Sequence, residues 1–221
     1  MSASGAPASA SWTGQVGRPT RLLLLRHGQT EMSAQRRYSG RGDPELTPLG
    51  LAQAAAAATA IRTVQDASEV TAAFCSPLRR ARQTAEPVAA ALGVAVEPHE
   101  GLLETDFGEW DGLTFAQARE RHPDLHGRWL GDDTVPAPGG ESFADVGVRV
   151  AALRDDLVTA HAGQTILLVS HVTPIKMLLR LALDAGPSIL FRMHLDLASL
   201  SIAEFYPDGG ASVRLVNQRF S

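Results

Sequence analysis

Short apolar runs alternate along this chain with longer stretches in which apolar residues recur every three or four positions. The run at 21–26, bounded by Gly28, reads as a buried strand, and 70–75 and 165–170 read the same way. A third short strand is expected at 94–96. Thr47 caps a helix that Pro48 opens and the alanine-rich stretch continues. A second helix spans 77–92, closed by Gly93. A long amphipathic helix over 143–161 has Ser142 as its N-cap and Gly163 as its stop, and another helix covers 173–183. Two terminal strands, 199–206 and 212–216, flank an Asp-Gly-Gly turn. Between 101 and 138 the pattern is irregular, rich in Gly, Pro, Trp and acidic residues, with short helices at 114–121 and 124–130. Such alternation predicts an α/β fold, a three-layer α/β/α sandwich on a mostly parallel sheet.

Residues 1–17 are mostly Ala, Ser, Gly and Pro without periodicity and read as a flexible tail or linker. One domain is expected over 18–221, carrying the 101–138 segment as a cap. A net charge of −4 argues against nucleic acid as a partner. No apolar run approaches membrane-spanning length, and the first residues lack a basic start and an apolar leader stretch. The single cysteine, Cys75, cannot form an internal disulfide, so a cytoplasmic protein is expected. The basic residues are arginines except for Lys176, and no Gly-Lys-Ser/Thr phosphate loop is present. Any anion site must therefore be built on arginine, which suits bidentate contacts to phosphate oxygens.

Three polar groups share one structural address. Arg26-His27-Gly28 follows the first strand, Ser76–Arg80 the second, and Ser170-His171 ends the 165–170 strand. Ligands of open α/β sheets bind outside the carboxyl ends of the strands, so these groups should converge into an anion pocket. Cys75 lies one residue out of register with Arg80 for a Cys-x5-Arg loop and reads as a buried strand residue. His122 and His126 have the i, i+4 spacing of zinc ligands, but Pro123 interrupts the helix. These two, with His99, His161 and His194, are read as structural, and no metal site is expected. Arg79 and Arg82 are expected to face solvent. Trp110 and Trp129 are either core residues or walls of the cap.

Leu25-Arg26-His27-Gly28-Gln29-Thr30-Glu31 resembles the signature of the histidine phosphatase (phosphoglycerate-mutase-like) superfamily. The motifs Ser76–Ala85, Leu103–Gly112, Gly139-Gly140-Glu141-Ser142 and Val169-Ser170-His171 follow in that family's order. Five ordered motifs over about 20–206 are far more specific than one triplet. The Phe-Gly-Glu-Trp-Asp-Gly and Pro-Gly-Gly-Glu-Ser-Phe segments resemble α-ribazole phosphatases of cobalamin biosynthesis. His171–Lys176 with Leu195-Asp196-Leu197-Ala198-Ser199 resembles the C-terminal acid phosphatase domain of actinobacterial bifunctional ribonuclease H proteins, which implies fusion to an N-terminal ribonuclease H domain.

The resemblance implies a two-step phosphoryl transfer on a small phosphorylated substrate, without cofactor or metal. His27 attacks phosphorus, and the positive charges of Arg26, Arg80 and His171 keep it neutral and stabilise the equatorial oxygens. Glu104 is the general acid and base, with Asp106 shaping its loop. Ser33, Ser39 and Gly40 match positions that contact phosphate in related proteins. Ser33 stands where many members carry Asn after a Trp, here Met32, so one contact is altered; Val172 replaces the glycine that usually follows the second histidine. A phosphoglycerate mutase should carry a Lys- and Arg-rich insertion, and 105–138 has no lysine. A non-catalytic phosphate-binding module requires a missing nucleophile or acid. A protein phosphohistidine phosphatase should have a shallow pocket without a cap.

Overall fold

The computed structural model describes residues 15–64 and 67–220. Most of the expected tail, 1–14, lies outside the described residues. Gln15 Nε2 donates to the Ala211 carbonyl, and the Val16 N–H to Asp208 Oδ2, both at 3.2 Å. Contact with the domain thus begins before Arg18.

Among the described residues, six strands form one sheet: β1 (Thr20–Arg26), β2 (Val70–Cys75), β3 (Val96–Pro98), β4 (Thr165–Ser170), β5 (Leu200–Phe205) and β6 (Ala211–Gln218). Their spatial order is β3-β2-β4-β1-β5-β6; the first four are parallel and the last two antiparallel to their neighbours. Seven helices accompany them: α1 (Glu31–Ala34), α2 (Pro48–Ala60), α3 (Arg79–Leu92), α4 (Phe115–Arg121), α5 (Pro123–Trp129), α6 (Phe143–Ala160) and α7 (Val172–Ala182). This is the α/β sandwich that the alternation predicts, with helices on both faces of the sheet.

The unbroken leucines of β1 follow from burial on two sides. Leu22 and Leu24, with Ile166 and Leu168 of β4, pack on Val146 and Val150 of α6 and Leu178 of α7. Leu23 and Leu25, with Leu167 and Val169, pack on Ala57 of α2 and Val88 of α3. Each leucine is fully buried, contributing about 1.5–3 kcal/mol. Caps set the helix starts: Thr47 Oγ1 accepts the Gly50 N–H, and Ser142 exchanges a capping box with Asp145.

Strand β3 begins two residues later than expected. The Gly93 and Val94 N–H groups close α3 onto the carbonyls of Ala90 and Ala89, so Val94 is spent on the helix end before the chain can pair with β2. The 101–138 segment holds α4, α5 and two short 3₁₀ turns, Glu100–Leu102 and Gly108–Trp110. Trp110 and Trp129 are buried against Tyr38 and Phe107, which makes them core residues. Among the described residues no helix is long and apolar enough to cross a membrane.

Candidate active site

Strand register brings the two histidine motifs together. Strands β1 and β4 are neighbours with Arg26 opposite Ser170, so the next residues, His27 and His171, emerge side by side. The His27 N–H donates to the Ser170 carbonyl at 3.0 Å, and the two imidazole centroids lie 5.0 Å apart. On the other side of β4, Ser76 follows β2, and α3 then delivers Arg80 from its first turn. Gly28 is required at the turn after β1, because a Cβ there would stand 2.6 Å from the Gly50 carbonyl oxygen. Its N–H is held by Thr84 Oγ1 at 3.0 Å.

The hydrogen bonds assign the protons on both rings. His27 Nδ1 lies 2.7 Å from the Gly28 carbonyl, which can only accept, so Nδ1 carries hydrogen and Nε2 carries the lone pair. Arg80 Nε–H donates into His171 Nδ1 at 3.2 Å, so the His171 proton sits on Nε2, 2.8 Å from Ser76 Oγ. Burial first, then the Arg80 charge, holds both histidines well below the ordinary imidazole range; Arg26 adds to the effect. His171 is therefore neutral here, not the positive charge expected from the sequence. An imidazolium would have to point a proton at the Arg80 guanidinium.

Arg80 is wholly buried and its donors are largely committed. NH1 binds the Gly42 carbonyl at 2.8 Å, and NH2 binds those of Ser39 at 3.1 Å and Gly40 at 2.9 Å. Arg26 differs. Its NH1 donates to the Leu195 carbonyl at 2.6 Å, while its buried Nε has no partner among the described residues. Burial lowers the Arg26 pKa to about 10, opposed by Glu104 and Asp196, which leaves it a cation at neutral pH. A buried guanidinium N–H without an acceptor suits an anionic oxygen. Glu104 is buried beside these groups. Its Oε1 accepts the Thr105 N–H at 2.8 Å and the Thr173 N–H, in the first turn of α7, at 3.3 Å.

His27, Arg26, Arg80, His171 and Glu104 thus gather in one buried cluster; of the expected phosphate contacts, Ser33 and Gly40 do other work, while the Ser39 hydroxyl is buried with no partner among the described residues. Ser33 Oγ is engaged by Thr30 in the cap of α1, donating to the Thr30 carbonyl and accepting its N–H. Ser39 and Gly40 turn their carbonyls onto Arg80, and the Gly40 N–H is given to Asp111 Oδ1. The reason is charge: an arginine buried beneath the loop draws carbonyl oxygens inward, which turns the N–H groups to the other side.

Two supporting groups lay in quoted motifs without an assigned role. Asp111 accepts the N–H groups of Gly40 and Gly42, fixing the loop whose carbonyls hold Arg80. Glu141 pairs with Arg41 and Arg149, and Arg149 also holds the backbone carbonyls of Gly101 and Glu104. An acid beside glycines in Trp110-Asp111-Gly112 and in Gly140-Glu141 is the signal that could have found them.

Asp106 binds the Gly108 N–H, shaping its loop. Arg79 and Arg82 are exposed. Cys75 is buried in β2, and burial raises its thiol to about 11, so it is not a thiolate nucleophile. His122 Nδ1 accepts from Trp110, and His126 Nε2 bonds the Tyr38 hydroxyl. Among the described residues no three His, Cys, Asp or Glu side chains cluster as metal ligands.

With this geometry in place, comparison with known proteins gives the class. The sequence profile of the histidine phosphatase superfamily (branch 1) matches residues 22–218, and the chain belongs to that superfamily. A protein of Mycobacterium tuberculosis named as bifunctional is 59% identical over 216 residues, covering 98% of this chain and 58% of its own length. The chain therefore spans little more than half of that relative. The vanadate complex of a mycobacterial glucosyl-3-phosphoglycerate phosphatase is 30% identical, with a TM-score of 0.79, covering 91% of this chain and 99% of that one. An Escherichia coli protein assigned as an α-ribazole-5′-P phosphatase is 27% identical with a TM-score of 0.78, covering 90% and 97%. Several of the structural neighbours are named as phosphatases, and the fold is the phosphoglycerate-mutase-like one.

Proposed function

We propose that this domain is a phosphomonoesterase that works through a phosphohistidine on His27 and needs no metal or cofactor. The observation that carries the reading is the Nδ1–H of His27 locked on the Gly28 carbonyl, which leaves the lone pair on Nε2 of a neutral ring, next to an Arg26 whose buried Nε–H has no partner among the described residues. Nε2 attacks phosphorus as the bond to the leaving oxygen breaks, and the Glu104 carboxyl supplies that oxygen with a proton. Water then attacks the phosphohistidine, gives its proton to Glu104 and releases phosphate. Arg26 holds the equatorial oxygens, Arg80 adds charge, and His171 offers its Nε2–H when it turns from Ser76.

The substrate proposed is a small nucleotide-like phosphate such as α-ribazole 5′-phosphate. Support comes from the Escherichia coli neighbour and from a net charge that gives no purchase on polymeric nucleic acid. We also propose a second, N-terminal domain of the ribonuclease H class in a longer cytoplasmic protein; the match to 58% of the length of a relative named as bifunctional supports a further domain.

The test is to quench wild type and His27→Ala during turnover of an aryl phosphate. Wild type should carry acid-labile, alkali-stable phosphate and the folded variant none. Near-normal turnover by the variant would refute the mechanism.

A further inference from the structure

The chain between α7 and β5 is tied to the pocket at three points. Lys176 Nζ donates to the Leu190 carbonyl at 2.6 Å, Arg26 NH1 to the Leu195 carbonyl at 2.6 Å, and the Ala198 N–H to the His27 carbonyl at 3.1 Å. Ala198 has φ of 54°, a left-handed conformation that a residue with a Cβ adopts only when its surroundings impose it. The constraint comes from the far end of the chain. Asn217 of β6 accepts the Asp196 N–H on Oδ1 at 2.5 Å and donates from Nδ2 to Asp196 Oδ2 at 3.1 Å. Its own N–H is held by Ser201 Oγ at 3.1 Å.

Asn217 reaches this position through an irregularity in the sheet. Leu200 pairs with Gln218 but Ile202 with Leu215, so β6 carries an extra residue there, and Asn217 takes φ of 60°. Bulges near sites commonly re-aim one side chain in this way. The lock then passes inward. The Asp196 carbonyl accepts the Ser199 N–H and hydroxyl at 3.3 and 2.7 Å, and the Ser199 carbonyl accepts the Arg26 N–H at 3.0 Å. Arg26 is thus gripped at its backbone and at its guanidinium by one short loop, whose shape the Asp196–Asn217 pair sets.

We infer that Asp196 and Asn217 are positioning residues, which aim the Arg26 guanidinium from outside the pocket. The inference rests on the reading of Arg26 as a phosphate-binding group. Neither residue belongs to the buried apolar clusters, so removing the pair should cost site geometry before it costs the fold.

Asn217→Gly keeps the backbone angle and deletes only the amide. It should melt within about 3 °C of wild type. Orthovanadate should bind about tenfold more weakly and kcat should fall about tenfold, with KM moving less. The double exchange Asp196→Asn with Asn217→Asp keeps an acceptor for the backbone N–H of residue 196, reverses the side-chain hydrogen bond, and should recover orthovanadate affinity to within about threefold. Orthovanadate affinity and kcat within about twofold of wild type in Asn217→Gly would overturn the inference, as would a double exchange no better than the single change. A wild type that binds orthovanadate but turns over no phosphomonoester would sink the phosphatase reading alone, because the orthovanadate comparison still decides this one.

Discussion

Mild acid should destabilise the ligand-free protein, because two neutral histidines are buried at its site. Unfolded, His27 and His171 take up protons near the ordinary value of about 6.5. Folded, both stay neutral well below it, held there by burial and by the Arg80 and Arg26 charges. Below about pH 6.5 the unfolded chain therefore binds more protons than the folded one, and stability falls as pH falls until the folded histidines themselves titrate. Above that value neither state holds these protons and the contribution is flat.

Each histidine is worth up to about 1.4 kcal/mol per pH unit, so the pair gives a slope approaching roughly 2.7 kcal/mol per unit. His126, also lowered by burial, acts in the same sense. Depressed carboxylates such as Glu141 and Asp145 destabilise only once the unfolded carboxylates begin to protonate, around pH 4.5 and below, so the two windows separate. At about 2–4 °C per kcal/mol for a chain of this size, the melting point should drop by about 5–11 °C per unit between pH 6 and pH 5. Thermal unfolding from pH 7.5 to 5.0 measures this, with His27→Gln as the partner experiment, in which about half of the slope should vanish. A melting point flat across that range, or a slope unchanged in the variant, would refute the assignment of two buried neutral rings.

Arg80→Lys keeps the charge but cannot reach the carbonyls of Ser39, Gly40 and Gly42 together. It should lose roughly 2–4 kcal/mol and expose the 39–42 amides to hydrogen exchange; an unchanged melting point and exchange pattern would count against Arg80 as the group that holds this loop. Glu104→Gln should slow alkyl phosphates by about a hundredfold and the first step of an aryl phosphate much less. Asp106→Asn should show no such leaving-group dependence, because its carboxylate serves the Gly108 N–H; the reverse outcome would move the acid two residues along.

The strand run of β1 and the turn after it were legible because burial on both faces leaves no polar residue among Leu22–Leu25, and because Gly28 is sterically required. His27, Arg26, Arg80 and His171 were legible as a set because strand ends of a parallel sheet share one edge, whereas Glu104, which follows a 3₁₀ turn, came from the family resemblance alone. Charge state was not. Whether His171 is a cation depends on which of its nitrogens meets Arg80, and no spacing rule encodes that angle. Where the Gly40 N–H points was not legible for a related reason: sequence names the loop, whereas Asp111 and Arg80, from distant segments, decide which way its N–H and carbonyl face. The β3 shift belongs to the same class, since two closing hydrogen bonds at Gly93 and Val94 settle where a strand can start.

The two arginines divide the work of the pocket. Arg80 spends four N–H bonds on three carbonyls and an imidazole, so it is a structural cation with little left for a ligand. After burial, its charge is the next cause that keeps both histidines unprotonated, which is what a nitrogen nucleophile needs. Arg26 spends one guanidinium bond, on the Leu195 carbonyl, and keeps a buried Nε–H without an acceptor among the described residues. Binding and nucleophile activation can therefore be disturbed separately. A change that frees Arg26 should weaken anion binding while leaving the His27 ring neutral, because the larger charge effect on His27 comes from Arg80. A change at Arg80 should disturb the nucleophile and the 39–42 loop together.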